Sequence, residues 1–160
     1  EARWTMNSLT IKDLSRREHN KTFEEDILSI DSKHLAYPWK KELWHDVFIN
    51  QDSRFLLCAA LQEGGLAGFS LFELNNWSLQ AHLLKIVICP EVRGSGLASR
   101  LFLFCKDHIV ETGMKEIYLE VEAGNTRAIS FYRKNLFLTL CVRNGYYSDG
   151  ADAQAMLLSL

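Results

Sequence analysis

The chain has 160 residues, 48% of them hydrophobic and 24% charged, with a formal net charge of −2. That length holds one domain with one hydrophobic core, and the balance is that of a soluble globular protein. It excludes a large basic face for a nucleic-acid backbone, and no apolar run is long enough to cross a bilayer.

The first residues, Glu1-Ala2-Arg3-Trp4-Thr5-Met6, lack the basic-then-apolar pattern of a secretory signal. Met6 reads as the natural start, with residues 1–5 added ahead of it. Cys58, Cys89, Cys105 and Cys141 lie far apart, three of them in apolar stretches where a thiol is usually a small buried hydrophobe. With the five histidines equally scattered, no zinc spacing appears and no metal is expected. The expected setting is reducing and cytoplasmic. No repeat or Pro/Gly-rich linker interrupts the chain, so residues 1–160 read as a single domain.

Ser8 to Ile11 reads as a short first strand. Phe23, Ile27 and Ile30 recur at helical spacing, as do Leu43, Trp44, Val47 and Phe48. Tyr37-Pro38-Trp39 breaks the chain between these two helices. Two apolar runs, Phe55 to Leu61 and Leu66 to Leu74, flank Glu63-Gly64-Gly65 and predict a hairpin. A third run, Leu83 to Cys89, stops at Pro90. Leu97, Leu101, Phe104, Cys105 and Ile109 mark one face of a helix that ends near Gly113. Ile117 to Val121 is a further strand. Asn125 is placed to cap a helix carrying Ile129 and Tyr132. Strands around Leu138 to Val142 and Ala153 to Leu158 finish the order β-α-α-β-β-β-α-β-α-β-β. That order predicts an α/β (α+β) domain: a mixed, mostly antiparallel sheet of about seven strands with about four helices on its faces.

The sharpest local signal is Arg93-Gly94-Ser95-Gly96-Leu97-Ala98, between a strand and a helix. Glycines let the backbone converge several N–H groups, and the helix N-terminus adds its own unpaired donors and positive dipole end. Such a loop suits a pyrophosphate. On the glycines alone, a ligand-free tight turn remains equally open. A P-loop reading fails because Leu97, not lysine, follows Gly96. Gly94-x-Gly96-x-x-Ser99 approaches a dinucleotide-binding fingerprint, but that motif normally opens the first βαβ unit, and here three strands come before it.

Arg93 to Ala98 resembles motif A of the GNAT acetyltransferase superfamily, Arg/Gln-x-x-Gly-x-Gly/Ala, and the element order is similar over nearly the whole chain. The resemblance implies a GNAT fold and acetyl-CoA as cosubstrate. It implies that Arg93, Gly94, Ser95, Gly96, Leu97, Ala98 and Ser99 hold the coenzyme pyrophosphate. Ile86, Val87 and Ile88 would splay from the next strand and pair with the pantetheine arm. Asn125 matches a further coenzyme contact, alongside its reading as a plain cap.

Acetyl transfer needs the acceptor amine to lose a proton, the thioester oxygen to be stabilised and the thiolate to leave. Glu120 stands in Ile117-Tyr118-Leu119-Glu120-Val121, where partial burial is expected to raise its pKa and make it a better base. Glu122 shares its face by strand alternation, and the residues alone do not choose between them. The resemblance favours Glu120, since Leu-Glu-Val matches the catalytic glutamate of N-terminal alanine acetyltransferases. Tyr132 by itself is more often a packing residue. The same resemblance makes it the acid, or the group that orients the sulfur.

Two segments resemble the RimI-type bacterial ribosomal-protein-alanine N-acetyltransferases: His34-Leu35-Ala36-Tyr37-Pro38-Trp39, and Arg143-Asn144-Gly145-Tyr146-Tyr147 with Asp152-Ala153. There, Tyr37, Trp39, Tyr146 and Tyr147 would grip a peptide N-terminus, and the resemblance implies the terminal alanine of a small-subunit ribosomal protein. A pair of core-closing aromatic loops is the plainer reading. Leu136 departs from the family glycine, so Asn135 is expected to take the left-handed cap. Ala151 departs from a usual acidic residue. Two other functions stay open: a GNAT acting on a small-molecule amine or lysine side chain, and a silent acetyl-CoA-binding module.

Overall fold

A computed structural model describes residues 9–15, 21–49, 54–63 and 65–160. Its elements run β1 (Thr10–Asp13), α1 (Lys21–His34), α2 (Lys41–Ile49), β2 (Phe55–Gln62), β3 (Gly65–Asn75), β4 (Gln80–Ile88), a 3-10 turn (Pro90–Val92), α3 (Leu97–Glu111), β5 (Glu116–Glu122), α4 (Thr126–Lys134), β6 (Leu138–Arg143) and β7 (Ala153–Ser159). The strands form a seven-stranded sheet in the order β1-β2-β3-β4-β5-β7-β6, with β4 and β5 parallel. The mixed sheet, with four α-helices among the described residues, is the expected fold class. Ser8, read as the start of the first strand, and Gly64, in the first hairpin turn, lie outside the described residues. β4 begins at Gln80, before its continuous apolar run, because Gln80 to His82 pair with Glu116 to Tyr118.

Two compact units divide the chain: the first 73 residues with Leu84–His108, and Leu74–Leu83 with Ile109–Leu160. In the first, β1 pairs with β2 and β2 with β3, both antiparallel. Trp44 is the centre of its core. Its ring lies 5.6 Å from Phe48 and 5.5 Å from Phe69, among Ile27, Ile30, Val47, Leu57, Leu71 and Val87. The helical spacing in α1 and α2 is what brings these residues to one side. Leu43 falls off that stripe and is half exposed. Gly68 sits so close to β4 that a Cβ there would lie 2.5 Å from the Val87 carbonyl oxygen. A side chain at Gly68 would therefore displace the strand that leads into the glycine loop.

In the second unit β5 and β7 pair over seven positions, Glu116–Ser159 to Glu122–Ala153, and β6 closes the edge. Alternation along β5 buries Ile117, Leu119 and Val121 and turns Tyr118, Glu120 and Glu122 to the other face. The end of α4 differs from expectation. Asn135 keeps φ −92°, and Leu136 itself is left-handed at φ +70°. The reason is packing: the turn lets the Phe137 N–H donate to Tyr132 O at 3.0 Å and buries Phe137 with its ring 5.6 Å from Tyr132. The bend falls one residue beyond the asparagine, on an exposed leucine.

Candidate active site

The glycine loop lies wholly in the first unit. Gly94 and Gly96 have φ of +76° and +80°, a conformation in which an L side chain is strained. No neighbouring atom lies within 4 Å of where a Cβ would stand at either position. Ser95 Oγ donates to Val92 O at 2.6 Å and Arg93 Nε to Ile88 O at 2.9 Å, tying the loop back onto the end of β4. The first helical bond runs from Arg100 N to Gly96 O, so the N–H groups of Leu97, Ala98 and Ser99 have no partner within the helix. Free donors at the start of a helix behind a glycine turn suit a phosphate-sized anion. Ile86, Val87 and Ile88 are the last residues of β4, and the β4–β5 ladder ends before them at His82–Tyr118.

The second unit holds an acidic centre. The Glu120 side chain is only 8% exposed, and both oxygens are engaged: Oε2 lies 2.6 Å from His82 Nε2, and Oε1 accepts from Arg143 Nη1 at 3.0 Å. Tyr118, on the same face of β5, also favours the charged carboxylate. Its ring meets the His82 ring edge-on at 5.2 Å. The expected rise in the Glu120 pKa is not found. Burial does push the carboxyl up, but His82, Tyr118 and Arg143 together outweigh it and leave the group below its usual value. Glu120 is therefore an anion at neutral pH.

Arg143 comes from the end of β6, and its guanidinium lies 4.6 Å from the centre of the Tyr146 ring. Tyr146 meets Tyr147 edge-on at 5.0 Å. Asp152 braces their loop by accepting the Gly145 N–H at 2.8 Å. Asn125 caps α4 as expected, its side chain accepting from Ala128 N at 3.1 Å. Tyr132 is buried on that helix, and burial, with the charge of Tyr147 second, pushes its phenol well above the ordinary value. It stays protonated at neutral pH and can donate but not accept a proton.

Tyr37 and Trp39 belong to the first unit, where they are partly buried rather than free in solution. Trp39 N donates to Asp31 Oδ2 at 2.8 Å, and its ring lies 5.5 Å from Trp44. Asp31 and Lys85 form a buried ion pair beside it, 2.7 Å apart.

Sequence reasoning missed His82, Arg143 as a partner of Glu120, and the Asp31–Lys85 pair. The last left a signal: a carboxylate next to Ile27 and Ile30 on the apolar face of α1, and a lysine inside the apolar run of β4. Two buried opposite charges predict one another. His82 left none, because only the register of β4 against β5 brings it to Glu120.

The profile of the acetyltransferase (GNAT) family matches residues 16–136. Over 158 residues the chain is 27% identical to the ribosomal protein bS18-alanine N-acetyltransferase of Escherichia coli K12, covering 98% of this chain and 96% of that protein. An N-alpha-acetyltransferase of Saccharolobus solfataricus is 36% identical over 91 residues, 56% of this chain and 54% of the relative. The crystal structure of the ribosomal-protein-S18-alanine N-acetyltransferase from Escherichia coli matches with a TM-score of 0.81 at 28% identity, covering 94% of this chain and 93% of that one.

Proposed function

Because the chain belongs to the acetyltransferase (GNAT) family and is an acetyl-CoA-dependent N-acetyltransferase, we propose that its acceptor is a protein N-terminal α-amine, the terminal alanine of a small-subunit ribosomal protein. The names of its relatives support this acceptor. The observation that carries it is the largely buried, ionised Glu120 side chain held between His82 and Arg143, with Tyr146 over the guanidinium.

An α-amine has a pKa of about 8 and arrives mostly as a cation. The Glu120 anion attracts it and takes one proton, which frees the nitrogen lone pair to attack the thioester carbon; the second N–H proton leaves to solvent as the amide forms. The developing oxyanion is met by a backbone N–H of β4, and the carbon–sulfur bond breaks with its electrons on sulfur. Tyr132 orients or protonates the thiolate; its neutral, buried phenol can donate a hydrogen bond to sulfur, and its raised pKa favours orienting over protonating. Acetyl passes directly to the amine, with no acyl-enzyme.

The Arg93–Ser99 loop holds the coenzyme pyrophosphate and the Ile86–Ile88 backbone pairs with the pantetheine, Asn125 adding a contact. Tyr37, Trp39, Tyr146 and Tyr147 are the residues proposed to contact the acceptor. A small first residue is expected to be preferred, because overfilling a packed binding site costs about 1–3 kcal/mol. The test compares a peptide beginning with alanine against its N-terminally blocked form carrying an internal lysine. Turnover is expected on the first alone. Equal rates, with acetyl found on lysine by mass spectrometry, refute the N-terminal reading.

A further inference from the structure

β4 alternates: Leu83, Lys85 and Val87 are buried on one face, and Val87 lies in the core that α1 and α2 cover. Lys85 is the charged residue on that face, and its side chain is 4% exposed against 1% for Asp31. Such a pair costs desolvation on both sides, and an apolar pair of similar volume would pack as well. The contacts it makes are therefore informative. Asp31 Oδ1 faces Lys85 Nζ at 2.7 Å and has no other partner among the described residues, while Oδ2 accepts from Trp39 N and from Trp44 Nε1, both at 2.8 Å. Lys85 Nζ also donates to the Tyr37 carbonyl oxygen at 3.2 Å and lies 5.0 Å from the centre of the Trp39 ring. Four of the pair's contacts end on the backbone and rings of residues 37 to 44, three of them within the Tyr37–Trp39 turn.

We propose that Lys85 and Asp31 are positioning residues that hold the Tyr37-Pro38-Trp39 turn in the conformation that receives the acceptor peptide; this rests on the reading that Tyr37 and Trp39 bound the acceptor. A turn between two helices has no ladder of its own to set its backbone, and Pro38 removes one donor from it. The ion pair supplies what is missing. It grips the turn at the Tyr37 carbonyl, the Trp39 amide and the Trp39 ring, and it anchors that grip to β4 one residue before Ile86.

The test uses the full chain with acetyl-CoA and an alanine-first peptide. Lys85→Met alone leaves a buried carboxylate unpaired and can fail to fold. The decisive variant is the double Lys85→Met, Asp31→Asn. It carries no charge there, and its amide oxygen still accepts from the two tryptophan N–H groups. Asp31→Asn alone and Trp39→Leu complete the set. For the double variant the peptide KM is expected to rise by about tenfold, the scale of one lost charge-assisted contact. The acetyl-CoA KM and the Tm are expected to stay near the parent values. Hydrogen exchange at the Leu35 to Lys40 amides is expected to quicken. An unchanged peptide KM in a folded double variant, while Trp39→Leu raises it, overturns the positioning role and leaves the acceptor reading standing. An unchanged peptide KM in Trp39→Leu overturns the acceptor reading itself, and the proposal with it. Equal rises in both KM values, or a lowered Tm with no peptide effect, reduce the pair to a core element and also overturn the proposal.

Discussion

Replacing Glu120 by glutamine keeps the size of the side chain and removes its charge, and two measurements should then separate. The first is stability. Glu120 accepts a 2.6 Å bond from His82 while 8% exposed, and a hydrogen bond to a buried charge is worth about 1.5–3 kcal/mol. The Arg143 contact is half exposed and screened, so it adds little. The sign follows from a depressed carboxyl. Its stabilisation is present above the unfolded value of 4.5 and is lost as pH falls through the lower folded value. The Tm gap between parent and variant should therefore be full at neutral pH and close as pH drops below 4.5. The second is rate. A lost general base typically costs ~10²–10⁴ in rate, or about 3–5.5 kcal/mol of barrier. The variant should recover part of that loss as pH approaches the amine pKa of about 8, where the acceptor is already neutral. Stopped-flow assay of thiol release from acetyl-CoA across that range gives the profile. A Glu120→Gln enzyme within about threefold of the parent at neutral pH refutes the base assignment and points to Glu122 or bulk water.

Gly96→Val should weaken acetyl-CoA binding by at least about tenfold in calorimetric titration. The residue sits at φ +80° with open space around it, so backbone strain and loss of room for the ligand act together. Tyr132→Phe keeps the buried ring and removes the hydroxyl; kcat should fall by about 10–100-fold, with the Tm little changed, and an unaltered kcat would remove Tyr132 from the chemistry. Leu136→Gly relieves a left-handed leucine whose side chain is 72% exposed, and should raise the Tm by about 2–4 °C in calorimetric scans.

Most of the element order was legible in the chain because it rests on local physics. The periodicity of Phe23, Ile27 and Ile30, the stop at Pro90, the cap at Asn125 and the glycines of the loop each act over a few residues, and each stands where expected. Glu120 and Tyr132 were nameable from local context plus a family resemblance. Their electrostatics were not. Local context predicts a carboxyl raised by burial, whereas register decides the outcome. His82 stands opposite Tyr118 in the β4–β5 ladder, and Arg143 opposite Ala153 in the β6–β7 ladder. Both pairings join segments more than twenty residues from Glu120, and together they reverse the shift. The ion pair of Asp31 and Lys85 was half legible, as two charges on apolar faces, but nothing local says that they meet. Sequence carries what short-range sterics and periodicity enforce. Which distant charges end within 3 Å of one another depends on strand register and helix packing, and only the tertiary structure decides that.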